Sequence, residues 1–236
     1  MPRSGTTLVE RILSSHSEIM TIGESDAFHS ASEAAINSIN VGLRHWSAID
    51  TSKIACYFDS VATRFFNHPR ISDNSKKRVL DKSISNAAYS GLISSVFPES
   101  KIIHLKRHPL DVVLSCYQLY FPFGHDYIFS VEDCAKQYLM FEDSVQHVKA
   151  LCPQNVYELN YEDLIEDPQG ELKSLLNFCA LEWEDGCLDF SGVYHMRSDV
   201  SMNTKQGIYK GAINKWKGYR ELLKPAADIL GLDINS

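Results

Sequence analysis

Pro2-Arg3-Ser4-Gly5-Thr6-Thr7-Leu8-Val9-Glu10 is the stretch on which the fold turns. A glycine and two hydroxyl residues stand directly before an apolar run at helical spacing, Leu8, Ile12 and Leu13. A glycine turn entering a helix aims unpaired backbone N–H groups and the positive dipole end at one point, which suits a phosphate. Thr6 and Thr7 add hydroxyl donors, and Arg3 adds a forked cation. The plainer reading is a helix start capped by Ser4. The pattern is not GxxxxGK[ST], and no lysine precedes Thr6 or Thr7, which disfavours kinase chemistry built on a phosphate-binding lysine.

Outward from that loop, short β-branched or apolar runs alternate with longer helical patterns. Ile19–Ile22, Arg78–Asp81, Lys101–Leu105 and Asn155–Leu159 read as strands. Thr7–Ser15, Ser25–Asn40, Ser52–Phe66, Asn86–Phe97, Leu110–Tyr120, Val131–Ala150, Pro168–Ala180 and Asn214–Leu230 read as helices, with Pro109 and Pro168 suited to first turns. The alternation implies βαβ units, hence a parallel sheet covered on both faces in an α/β/α arrangement. Residues 191–213 lack a period and carry Gly192, Gly207 and Gly211 among cations and hydroxyls, which favours a loop covering a ligand.

Composition narrows the function. The chain has 236 residues, a formal charge of −7 and 44% hydrophobic residues, so one folded domain over residues 1–236 is expected. The acidic balance argues against nucleic acid as partner, and an anionic ligand needs locally focused Lys and Arg. The six cysteines show no CxxC or other ligand spacing, so no metal is expected and the thiols read as reduced. No apolar run is long enough for a membrane segment and no secretory layout opens the chain, which points to a cytoplasmic protein.

A second signal sits where the strand Lys101–Leu105 runs into Lys106-Arg107-His108-Pro109-Leu110-Asp111-Val112-Val113-Leu114-Ser115. Ligands of open α/β sheets bind at such carboxyl-end junctions. Arg107 at the strand tip and Ser115 two turns along the helix can hold a second phosphate. Taken singly, each reads as a surface residue.

Together, PRSGTTLVE and KRHPLDVVLS resemble the sulfotransferase family, closest to its tyrosylprotein-sulfotransferase-like branch and to bacterial domains that follow tetratricopeptide repeats. Asn160-Tyr161-Glu162-Asp163-Leu164 and Ile208–Trp216 are similar to further family segments. The resemblance implies a P-loop-like fold and the donor 3′-phosphoadenosine 5′-phosphosulfate (PAPS), without a metal. It places Arg3, Ser4, Gly5, Thr6 and Thr7 on the 5′-phosphosulfate, Arg107 and Ser115 on the 3′-phosphate, and Tyr161 beside the adenosine. Lys215 would reach the nucleotide from the C-terminal segment, and Ser201 and Lys205 lie in the covering loop. Glu24 matches the family's general base and Lys82 its cation at the transferring group, with Arg3 assisting. A carboxylate of ordinary pKa near 4.3 is a weak base toward a hydroxyl, so burial or a neighbour raises it, or the proton leaves late. Asp81 is a candidate partner for Lys82. His16 and His104 read as structural.

Two departures stand out. The family's assisting serine aligns with Val200, next to Ser201, and an arginine one turn past Ser115 is Leu119 here. The acceptor is an unspecified hydroxyl, small-molecule or peptide: tyrosyl, phenolic, sugar or alcohol. Oligomeric state stays open, a homodimer being one option. Because only Met1 precedes Pro2, the domain is expected to lack its first strand, with a looser and weaker-binding loop at Pro2–Thr7. Two rival readings follow: a PAPS-binding or desulfated-nucleotide-binding protein without turnover, and a P-loop kinase-like phosphotransferase.

Overall fold

The computed structural model describes residues 1–39, 51–73, 75–119, 125–188 and 213–235. The chain is a mixed α/β protein. The strands are β1 (Ile19–Gly23), β2 (Arg78–Asp81), β3 (Ile102–Lys106) and β4 (Val156–Asn160). The helices are α1 (Thr6–Ser14), α2 (Ala27–Ile39), α3 (Thr51–Phe66), α4 (Asn86–Val96), α5 (Pro109–Tyr117), α6 (Val131–Leu151), α7 (Tyr161–Glu166), α8 (Pro168–Phe178) and α9 (Arg220–Leu230).

Local chemistry fixes several of these boundaries. Pro109 and Pro168 occupy first turns, where a missing N–H breaks no helical bond. Ser130 Oγ accepts from the Asp133 N–H at 3.1 Å and caps α6, while Asp167 caps α8 through the Gly170 N–H at 3.0 Å. The final helix differs from its expected span: Asn214 adopts a left-handed conformation at φ 58°, a 3-10 turn follows over Lys215–Tyr219, and α9 starts at Arg220. Pro225 lies inside α9.

The parallel α/β reading holds, and its sheet is divided. Among the described residues β1 pairs with β2, and β3 pairs with β4, each in parallel, and no ladder joins the two pairs. The β3–β4 register is continuous from Ile102↔Val156 to Lys106↔Asn160, whereas β1–β2 slips between Thr21 and Gly23. Parallel strands need both faces covered. Val9, Ile12 and Leu13 of α1 pack with Leu105, Leu159 and the apolar faces of α7 and α8. A second cluster joins α5, α6, α9 and Trp216, and a third joins β1 to α2 and α3. At fully buried positions such as Leu159 or Leu172, truncation to Ala costs about 2–5 kcal/mol.

Candidate active site

The anion loop is built around Gly5. Its φ of 105° is one that L-residues rarely adopt, and a Cβ there would lie 2.6 Å from Tyr161 Cδ2. Glycine is therefore required twice, by backbone conformation and by space. Gly5, not Ser4, is the N-cap of α1, and its carbonyl accepts from the Leu8 N–H at 2.9 Å. Ser4 is buried and donates its hydroxyl to the Met1 carbonyl at 3.0 Å, so the Ser4 cap does not form. No side chain caps α1, and no acidic residue stands in its first turn. Its leading N–H groups thus face outward with the positive dipole end, beside the hydroxyls of Thr6 and exposed Thr7.

The fold brings the two sequence motifs together. Arg3 Nε donates to Ser115 Oγ at 3.0 Å, and Arg107 Nη1 donates to the Arg3 carbonyl at 2.9 Å. The Arg107 guanidinium also lies over the Tyr161 ring, 5.0 Å from its centre, where the ring quadrupole attracts a cation. Tyr161 is buried at the start of α7, and that burial pushes its phenol pKa up. Burial, with Arg107 close by, lowers the Arg3 pKa, yet a guanidinium stays charged in proteins. Two cations, a hydroxyl and a helix start therefore surround one small patch. Such a set fits phosphate or sulfate oxygens.

A second group lies at the tips of β1 and β2. Lys82 Nζ donates to Glu24 Oε1 at 2.5 Å and lies 3.4 Å from Glu10 Oε2. Lys82 is 12% exposed and Glu24 64%, so Glu24 faces solvent and the expected route through burial is absent. The Glu24 backbone is anchored, because Arg70 Nη1 donates to the carbonyls of Ile22 at 3.1 Å and Glu24 at 2.7 Å. Asp81 does not pair with Lys82; its Oδ1 accepts from the Ser83 N–H at 2.9 Å, and burial raises its pKa.

Two residues of the site carry no assignment in the sequence reading. Glu10, on the second turn of α1, accepts from Thr21 Oγ1 at 2.7 Å through one oxygen and meets Lys82 through the other. It ties the helix bearing the anion loop to the β2 tip. Asp111, 1% exposed, accepts from the Asn214 N–H at 2.8 Å and the Trp216 N–H at 2.9 Å. Trp216 stacks on His108 with ring centres 4.9 Å apart, so the segment bearing exposed Lys215 is fastened beside the Arg107–Ser115 helix. Ser201 and Lys205, like Val200, lie outside the described residues. His16 and His104 sit in structural networks: His16 Nε2 lies 2.9 Å from the Glu182 carbonyl, and His104 Nε2 lies 3.0 Å from Glu142 Oε1.

A model of the sulfotransferase family matches residues 1–185. The chain belongs to the sulfotransferase family. It is 33% identical over 237 residues to an uncharacterized protein of Aquifex aeolicus (strain VF5), covering 98% of this chain and 31% of that protein. The chain thus spans about a third of that relative's length. It is 22% identical over 258 residues to a "putative protein-tyrosine sulfotransferase" of Caenorhabditis briggsae, covering 100% of this chain and 88% of the relative. Two solved structures share the fold. The sulfotransferase domain of the Synechococcus PCC 7002 olefin synthase matches with a TM-score of 0.65 and 18% identity, covering 98% of this chain and 90% of that one. The sulfotransferase domain from the curacin biosynthetic pathway matches with a TM-score of 0.60 and 17% identity, covering 98% and 95%. Among the described residues, no helix is long and apolar enough to cross a membrane.

Proposed function

We propose that this chain transfers a sulfuryl group from PAPS to an acceptor hydroxyl, with Glu24 as general base and Lys82 and Arg3 stabilising the transferring group. The observation that carries this reading is the single patch formed by Gly5, the start of α1, Arg3, Arg107, Ser115 and Tyr161, tied to the Glu24–Lys82 pair through Glu10. The residues suit the donor: the left-handed turn at Gly5 opens α1 toward an anion with no side chain of its own, and the cations suit the 5′-phosphosulfate and the 3′-phosphate. In this reading Arg107 and Ser115 take the 3′-phosphate, Tyr161 borders the adenosine, and Lys215, Ser201 and Lys205 close over the nucleotide.

In the transfer, the acceptor oxygen bonds to sulfur as the sulfur's bond to the bridging phosphate oxygen breaks. The acceptor proton passes to a Glu24 carboxylate oxygen, and the electron pair stays on the desulfated nucleotide. Lys82 and Arg3 oppose the charge that builds on that bridging oxygen, the kind of preorganised stabilisation worth about 2.7–4 kcal/mol per donor. Because Glu24 is open to solvent and sits on a cation rather than in an apolar pocket, a late proton transfer suits it, after the acceptor oxygen has begun to bond. A tyrosyl peptide is the first acceptor to test, since one relative bears that name. Phenols, sugars and alkyl alcohols follow.

The deciding experiment pairs calorimetry using 3′-phosphoadenosine 5′-phosphate with a donor-consumption assay across those acceptors. The wild-type chain binds the nucleotide and turns over. Glu24→Gln lowers kcat by about 10²–10⁴-fold with nucleotide binding nearly unchanged. Full turnover by Glu24→Gln removes Glu24 from the role. Binding without turnover by the wild-type chain makes it a nucleotide-binding protein, and preference for ATP makes it a kinase-like one.

A further inference from the structure

Lys82 is shared by two carboxylates of different standing. Its Nζ lies 2.5 Å from Glu24 Oε1 and 3.4 Å from Glu10 Oε2, and Lys82 and Glu10 are each 12% exposed where Glu24 stands largely in solvent. Glu10 is also fixed from its other side. Its Oε1 accepts from Thr21 Oγ1 at 2.7 Å, and that same hydroxyl oxygen accepts from the Gly23 N–H at 3.1 Å. Gly23 has a φ of 67°, and a Cβ there would lie 3.7 Å from Glu10 Oε1, so the left-handed turn leading into Glu24 is seated against Glu10. Along α1, Glu10 stands four residues after Thr6, on the same helix face and about 6 Å from the anion loop. One carboxylate, on the helix whose start faces the anion, therefore reaches both the cation of the pair and the turn that carries its base.

We propose that Glu10 is the positioning residue of the catalytic pair: it keeps Lys82 in place when Glu24 takes up the acceptor proton, and through Thr21 it sets the turn from which Glu24 projects. This rests on the transfer reading above. As the acceptor oxygen bonds to sulfur, its proton passes to Glu24 and that carboxylate becomes neutral. Lys82 thereby loses the nearer of its two counter-charges at the moment when it must face the bridging oxygen. An ammonium on a flexible four-carbon stem needs an anchor to stay there. Glu10 receives no proton in that step, so its charge holds Lys82 one helical turn from the anion loop. A cation fixed before charge develops needs no reorganisation as the reaction proceeds. A plain structural tie would need only the length of Glu10 and its hydrogen bond with Thr21, whereas the positioning role needs the charge.

The test separates charge from shape. Glu10→Gln keeps the length and an acceptor oxygen for Thr21 but removes the charge, whereas Glu10→Asp keeps the charge on a shorter stem. Donor-consumption kinetics, calorimetry with 3′-phosphoadenosine 5′-phosphate and thermal melting are read for both. Glu24→Gln, and Lys82→Met with and without Glu10→Gln, are measured beside them. Glu10→Gln lowers kcat by about 10–100-fold with the nucleotide Kd within about threefold of wild type. Glu10→Asp recovers most of that loss, even where its Tm is the lower of the two. In the Lys82→Met chain, adding Glu10→Gln lowers kcat by less than about threefold more, as expected of residues that act as one unit. Near-normal kcat in Glu10→Gln, a loss confined to Kd, a larger kcat loss in Glu10→Asp than in Glu10→Gln, or fully multiplicative losses in the double variant overturns the proposal, while Glu24→Gln still reports on the base. Undiminished turnover by Glu24→Gln, or none by the wild-type chain, overturns the transfer reading and this proposal with it.

Discussion

Each parallel pair of strands presents its own side chains at its carboxyl end, and the two sets are held in opposite ways. β3 and β4 deliver Arg107 and Tyr161, which are packed on each other, on Gly5 and on the Arg3 carbonyl. β1 and β2 deliver Glu24 and Lys82, which pair with one another, with Lys82 also on Glu10 and the Glu24 carboxylate in solvent. The registers differ in the same sense, continuous in β3–β4 and slipped at Thr21/Gly23 in β1–β2. An interlocked tip is suited to holding a ligand in one pose, whereas an open ion pair is suited to exchanging partners as charge moves. The proposed division of labour follows: affinity on the β3–β4 side and chemistry on the β1–β2 side.

The sharpest way to break that division is Lys82→Met, which keeps the side-chain length and removes the charge. If the β1–β2 side does the chemistry, kcat falls by about 10²–10³-fold while the nucleotide Kd moves only a few-fold. Calorimetry beside steady-state kinetics reads both, and a loss confined to Kd would move Lys82 to the binding side. The reciprocal change, Arg107→Lys, removes the fork that reaches the Arg3 carbonyl and the stacking on Tyr161. It weakens nucleotide binding by roughly 10–100-fold, equivalent to about 1.5–3 kcal/mol for a charged hydrogen bond, with kcat at saturation nearly intact. A large kcat loss at saturation would erase the distinction between the two tips.

Why one side was more legible in the sequence than the other has a physical cause. β2 occupies its expected span, and α1, α4 and α8 lie within two residues of theirs, because strand alternation, helical spacing and proline at first turns are local signals. The grouping of Arg3, Gly5, Arg107, Ser115 and Tyr161 was expected from the family resemblance of three segments, two of which stand at the carboxyl ends of the parallel strands β3 and β4. Glu10 and Asp111 escaped notice because their partners, Lys82 and the Asn214–Trp216 backbone, are distant in sequence. The Ser4 cap failed for a similar reason: its hydroxyl is taken by the Met1 carbonyl, and Tyr161 leaves room only for glycine at the cap. The division of the sheet is likewise a property of pairing, which no single strand encodes.

Asp111→Asn tests how far the binding side depends on its C-terminal strap. The change keeps one acceptor oxygen and loses the charge that receives two backbone N–H groups. The expected cost is about 1–3 kcal/mol, roughly a 3–10 °C fall in Tm for a chain of this size. Proteolysis near residues 213–216 should accelerate in parallel, whereas a normal protease pattern would show that the Trp216–His108 stack holds the strap alone.

The smallest effect concerns the strands themselves. His104 and Glu158 are register partners across β3–β4, and Lys149, Gln146 and Lys106 gather on the same carboxylate. Burial by itself pushes the Glu158 pKa up, but the hydrogen bonds from Lys149 and Gln146 and the charge of Lys106 outweigh it and hold it down at about 2. A carboxylate whose folded pKa lies below its unfolded value, near 4.3, contributes stability that is complete above the unfolded value and disappears as pH falls through the folded one. Glu158→Gln therefore costs about 1–2 kcal/mol at neutral pH, and its deficit relative to wild type shrinks between about pH 4.5 and 2. Subtracting the two stability curves isolates this group from Glu142, which also titrates below its ordinary range and is common to both chains. A deficit that stays constant across that window would mean the side chain acts by packing, and the β3–β4 pair would then owe its continuity to apolar contacts rather than to charge.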